Sequence, residues 1–214
     1  MPELDSTAKI RLLIVDDHPV VRMGLSTMLK QNQRIVVTGS VDSGESAIHL
    51  LEHSDVDIVL LDLRMPGLSG IKTLRSMLKQ SSDRKVIVLS SFELDEEIHQ
   101  TVVAGARGYI LKDMPGGEIL EAIYRVHSGL TYFPKRITDR LSDRRSRPEL
   151  SKREIEILEL VCRGLTNKEI ASALQLSQFT VRNHLNNITS KLEVTDRTEA
   201  AFVAIQTGIV SISH

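Results

Sequence analysis

Five side chains in this sequence could do one piece of chemistry together. Asp16, Asp17 and Asp62 offer carboxylates, Ser90 a hydroxyl and Lys112 an ammonium group. Three crowded carboxylates repel one another unless a divalent cation lies among them, and an all-oxygen ligand set suits Mg2+. A carboxylate can attack a phosphoryl group and become an aspartyl phosphate. A cation and a lysine would then neutralise charge on the equatorial oxygens, and a hydroxyl could donate to a third oxygen. Taken singly, each residue has a plainer reading. Asp17 alone is more often a helix cap, and a lone lysine is usually a surface lysine.

Whether these groups meet depends on the elements that carry them. Short apolar or β-branched runs occur at 11–15, 35–39, 57–61, 85–89 and 108–111. Between them lie stretches with helical spacing: Val21, Leu25, Met28 and Leu29; then Ile71, Leu74 and Leu78; then Ile119, Leu120 and Ile123. Five βα alternations predict a parallel sheet with helices on both faces. Continuous runs such as Ile58-Val59-Leu60-Leu61 suit strands buried on both sides. The expected fold is α/β, a flavodoxin-like doubly wound five-stranded sheet whose strand order is not readable. Asp16 and Asp17 close the first run, Asp62 the third, Ser90 the fourth and Lys112 the fifth. All five positions therefore fall at the carboxyl ends of strands, the edge where open α/β sheets bind ligands.

The second half reads differently. Residues 130–149 contain Pro134, Pro148 and a charged run from Asp139 to Arg147, the pattern of a solvated linker that could include a short helix. Beyond it, Ser151-Lys-Arg-Glu154 and Thr166-Asn-Lys-Glu169 each match the capping box. Gly164 stands where a helix ending near Arg163 needs a left-handed cap. Four helices are expected, at about 151–163, 167–174, 178–192 and 196–207. The second and third are separated only by Gln175-Leu-Ser177, the helix-turn-helix signature. The candidate recognition helix, 178–192, places Val181, Leu185, Ile188 and Leu192 on one face. Asn183, Asn186, Asn187 and Ser190 lie on the other, with Arg182 and Lys191 at its margins. Asn and Arg can pair bidentately with adenine and guanine edges. Thr180, Lys168 and Lys191 are placed for phosphates. The plain alternative is a solvated surface helix, although three poor helix formers on one face ask for another purpose.

The motifs Val15-Asp16-Asp17-His18-Pro19, Leu61-Asp62-Leu63-Arg64-Met65-Pro66-Gly67, Val88-Leu89-Ser90-Ser91 and Gly108-Tyr109-Ile110-Leu111-Lys112 resemble the receiver domains of response regulators. The resemblance implies Asp62 as phosphoacceptor, with Mg2+ held by Asp16, Asp17, Asp62 and the backbone carbonyl of Arg64. It implies Ser90 as the switch hydroxyl, Lys112 as the phosphate-pairing lysine and Tyr109 as an aromatic that swings inward on activation. Read alone, Tyr109 is a half-buried sheet-edge aromatic. Ser90 stands where many receivers have threonine, and Asp113 where many have proline. Further on, Ser151-Lys-Arg-Glu154, Gly164-Leu-Thr-Asn167-Lys168-Glu169 and Thr180-Val181-Arg182-Asn183-His184 resemble the LuxR-type domain, here with all four helices. Receiver plus LuxR-type output is the plan of the NarL/FixJ family. By that likeness Arg182, Asn183 and Asn186 read bases, and His184 supports backbone contact. By the same likeness the helix near Asp196–Thr207 makes a dimer contact, although its apolar Ala200, Val203 and Ala204 suit simple core packing equally.

Three segments follow: receiver 10–129, linker 130–149 and DNA-binding domain 150–214. The implied partners are a sensor histidine kinase, double-stranded DNA, a second copy of the chain and, as a further possibility, RNA polymerase. Residues 1–129 carry 14 Lys+Arg against 18 Asp+Glu, and residues 130–214 carry 13 against 10. An acidic front and a basic back fit two domains with different partners. The single Cys162 forbids an intrachain disulfide, which suits a reducing compartment. No apolar run reaches the ~20 residues of a membrane helix, and Met1–Arg11 lacks a signal-peptide core. A cytoplasmic regulator is expected, not an enzyme; adjacent acids after the first strand are unlike the DxD pattern of aspartate-nucleophile phosphatases. A phosphorylation-independent DNA binder and a protein-docking module remain the alternatives.

Overall fold

The computed structural model describes residues 9–146 and 148–210, with side chains described for all of these except 143–146. Five strands form one parallel sheet in the order β2-β1-β3-β4-β5: β1 (Ile10–Val15), β2 (Ile35–Val41), β3 (Ile58–Asp62), β4 (Lys85–Ser90) and β5 (Gly108–Leu111). The order reverses at β1, which pairs with β2 on one side and β3 on the other. Nonlocal pairing of this kind has no local signal in the sequence. β3 and β4 are apolar almost throughout and buried, as two-sided coverage by helices demands. Helices α1 (Pro19–Lys30), α2 (Gly44–His53), α3 (Gly70–Gln80), α4 (Asp95–Val103) and α5 (Gly116–His127) alternate with the strands.

The stretch expected as a solvated tether is more ordered than that. Tyr132 forms an isolated parallel bridge with Gly108, and α6 runs from Lys135 to Ser146. Among the described residues, one compact unit comprises residues 9–93 with Gln100–Thr138. The other comprises Leu94–His99 with residues 139–146 and 148–210.

The C-terminal helices are α7 (Lys152–Cys162), α8 (Asn167–Ala173), α9 (Gln178–Leu192) and α10 (Arg197–Gln206). Both expected capping boxes form, on Ser151–Glu154 and Thr166–Glu169. Gly164 adopts φ +85, the left-handed cap its position called for. The turn between α8 and α9 is closed by Gln175 at φ 55, a left-handed residue that is not glycine. Ile157, Leu158, Ile170, Val181, Leu185, Ile188 and Ala200 make the core of this bundle. Among the described residues, no helix is long and apolar enough to cross a membrane.

Candidate phosphoacceptor site and nucleic-acid interface

The strand ends bring the five residues to one place. Asp16 follows β1, Asp62 closes β3, Ser90 closes β4 and Lys112 follows β5. The Lys112 Nζ lies 2.7 Å from Asp16 Oδ2 and 2.9 Å from Asp62 Oδ2. Asp16 and Asp62 are buried at 0% and 2% exposure. Burial pushes the Asp62 carboxyl above the usual carboxylate range, aided by Asp16 and opposed by Lys112 and the Arg64 amide. For Lys112, burial works against the charged form, but its bonds to Asp16 and Asp62 win and hold the ammonium above its usual range.

The remaining acid, Asp17, has its Oδ1 2.8 Å from His18 Nδ1, while the His18 amide donates to Asp16 Oδ1 at 2.9 Å. His18, not Asp17, is the N-cap of α1, so the plainer reading of Asp17 does not apply. Asp16 Oδ2, Asp17 Oδ1 and Asp62 Oδ2 are buried oxygens whose close neighbours are the Lys112 ammonium and the His18 ring. Ligand atoms of Asp16, Asp17, His18 and Asp62 all lie within 4.8 Å of one another. A hard divalent cation fits such a donor set.

Two features around Asp62 were not legible beforehand. Gly70, the first residue of α3, sits so close behind β3 that a Cβ there would collide with the Asp62 carbonyl and stand 2.5 Å from Leu63 Cα. The other is Phe92. Its carbonyl accepts from both Ser90 Oγ and the Tyr109 hydroxyl, each at 3.0 Å, and its ring packs 4.0 Å from the Arg64 guanidinium. Tyr109 itself is fully buried, not half-buried as its sheet-edge position suggested.

On the second unit, α9 exposes Arg182, Asn183, Asn186 and Asn187, and α8 exposes Lys168; His184 is half-buried. No hydrogen bond or ion pair within the described residues engages the Arg182, Asn183, Asn186 or Lys168 side chains. Thr180 is half-buried, with its hydroxyl 2.8 Å from Ser177 Oγ. Lys191 departs from expectation. Its Nζ donates to Glu154 Oε2 at 2.8 Å and to the Glu149 carbonyl at 3.0 Å, so the ammonium belongs to the bundle. Two arginines that sequence reasoning passed over hold the helix pair in place. Arg153 donates to the Leu174 carbonyl at the end of α8, and Arg197 to the Leu165 carbonyl before it.

An acid-and-lysine cluster at the carboxyl edge of a doubly wound sheet, joined to a helix-turn-helix bundle, defines a receiver-plus-output regulator. Residues 12–124 match the response regulator receiver domain, and residues 148–204 match the bacterial regulatory proteins of the luxR family. The chain belongs to the two-component response regulators of the NarL/FixJ family. It is 37% identical over 210 residues to the transcriptional regulatory protein LiaR of Bacillus subtilis, covering 94% of this chain and 100% of LiaR. The response regulator protein VraR of Staphylococcus aureus is 36% identical over 206 residues, covering 94% of this chain and 99% of VraR. Among solved structures, the response regulator ChrA of a heme-sensing two-component system shares 36% identity with a TM-score of 0.57, over 95% of this chain and all of that one. The RcsB–DNA complex shares the fold at 24% identity, with a TM-score of 0.71 over 92% of this chain and 98% of that one.

Proposed function

We propose that Asp62 takes up a phosphoryl group from a sensor histidine kinase, and that this switches dimerisation and promoter binding by the C-terminal unit. The observation that carries the reading is Lys112 bridging Asp16 and Asp62 at the end of the central strands. Asp62 Oδ is the nucleophile; phosphorus is attacked in line while the bond to the donor breaks. Asp16, Asp17, Asp62 and the Arg64 carbonyl would hold Mg2+, which supplies charge neutralisation at the phosphoryl oxygens. Lys112 leaves its carboxylate pair to meet one phosphoryl oxygen. Ser90 turns its hydroxyl from the Phe92 carbonyl toward another, and Tyr109 responds through the same carbonyl. The chain accepts one phosphoryl group and is not a turnover enzyme.

For DNA, α9 is the reading helix. Arg182, Asn183, Asn186 and Asn187 take base edges, while Lys168, Thr180 and His184 serve the backbone. A two-fold dimer would read half-sites one helical turn or a multiple apart. A solved structure of two RcsB dimers bound to two parallel DNAs shares this fold. The site of action is the cytoplasm, with RNA polymerase as a further partner. Intact mass after incubation with Mg2+ and acetyl phosphate tests the core of the proposal. Wild type should gain one phosphoryl group and Asp62→Ala none. If wild type stays unmodified even with kinase present while operator binding persists, phosphorylation-independent DNA binding replaces this reading.

A further inference from the structure

The face of α9 turned away from the bundle core opens on an aromatic ring. At ~100° per residue, Phe179 lies across the helix from Val181, Leu185 and Ile188. It starts the row that Asn183 continues one turn on and Asn186 two turns on. Phe179 is 73% exposed. Single exposed apolar side chains are common and by themselves need no explanation. What sets Phe179 apart is its company. Its neighbours along the row are amides, and Arg182 flanks it. The exposed apolar residues Phe202 and Ile205 belong to another helix, α10. One ring among amides is far too little apolar area to hold a protein partner. The major groove, by contrast, presents one apolar group to such a face, the 5-methyl of thymine, and phenylalanine is among the side chains that meet it.

We propose that Phe179 reads a thymine through its 5-methyl group, beside the base pair taken by Asn183. The proposal rests on α9 being the helix that enters the groove. The ring stands in the first turn of α9, and the first turn is where recognition helices reach base edges. Because the contact carries no charge, it adds discrimination without adding to the salt dependence of binding.

The test uses the full chain with Mg2+ and beryllofluoride, first to select duplexes from a random library. The selected duplex is then remade with deoxyuridine replacing each thymidine in turn. That change removes the 5-methyl and leaves every hydrogen-bonding edge intact. At one position per half-site the wild type should bind about fourfold more weakly, the effect of exposing one methyl-sized group. Phe179→Ala should bind the thymidine and deoxyuridine duplexes equally, and Phe179→Leu should keep part of the preference. The slope of log affinity against log salt should be the same for all three proteins. A thymidine preference in Phe179→Ala equal to that of wild type overturns the proposal. Arg182→Ala and Asn183→Ala run alongside. If both relax sequence selection while Phe179→Ala does not, only the thymine assignment fails. If neither relaxes it, α9 is not the reading helix.

Discussion

Lys191 and Glu154 illustrate how a residue's type can mislead while its geometry is plain. A lysine near the end of a recognition helix invites a phosphate contact. Here the ammonium closes a ring of polar bonds: Glu154 Oε2 accepts from Lys191 Nζ and from the Ser151 amide at 2.7 Å. Burial raises the Glu154 carboxyl, but Lys191 and Ser151 more than reverse this and hold it below the usual carboxylate range. Lys191→Ala should therefore lower the unfolding free energy of the C-terminal unit by about 1–3 kcal/mol, the scale of a lost bond to a charged group. The sign with pH follows from the lowered folded-state value. The stabilisation is present above the ordinary glutamate range and is lost as pH falls through the Glu154 value. Urea unfolding between neutral and acid pH checks both statements, with Glu154→Gln flattening the acid limb. An unchanged urea midpoint for Lys191→Ala, with a salt slope of DNA binding reduced by ~1, would return this lysine to a phosphate role. The five site residues were legible because a strand end is a fixed place that local pattern reveals. The Lys191–Glu154 pair was not, since it depends on how α7 packs on α9, although the capping box around Glu154 was in plain view.

At the scale of elements, the junction of β3 and α3 sets the place of Asp62. The Glu45 carboxylate accepts from the Leu68 amide at 3.2 Å, Gly67 turns the chain at φ +78, and Gly70 lies against Asp62 and Leu63 with no room for a side chain. Gly70→Ala should cost about 1–3 kcal/mol by overpacking and slow phosphoryl uptake by displacing Asp62. Gly117→Ala serves as the control, because a Cβ there meets nothing within 4 Å. Phosphorylation kinetics by intact mass separates the two; equal rates would free the junction of any positioning role. The strands and helices α1, α3, α5 and α9 could be read from their apolar periodicity, and α7 and α8 from their capping boxes. Of α6 the pattern offered only a linker that could include a short helix: its sequence, KRITDRLSDRRS, is charged nearly all round, and Ile137 is the buried apolar residue among its described side chains. A helix without an apolar stripe looks like a linker to any reading based on period.

For the molecule as a whole, the acidic front and basic back only suggested two domains with different partners, and the sheet order was not legible, because it rests on pairings far apart in the chain. Under the proposed function, phosphate and operator act on one protein, and linkage requires that whatever one does to the affinity of the other is returned by the same factor. The Phe92 carbonyl gives that law a local form. Two hydroxyls share one acceptor, so Ser90 cannot leave it without changing what Tyr109 is worth there. Tyr109→Phe should therefore alter the affinity for beryllofluoride severalfold, although the ring never touches it, and titration followed by fluorine NMR would show the change. Unaltered affinity would mean that the two hydroxyls act separately. The shared carbonyl seats both donors on its two lone pairs, so a change at the acid that draws one hydroxyl away is felt by the other.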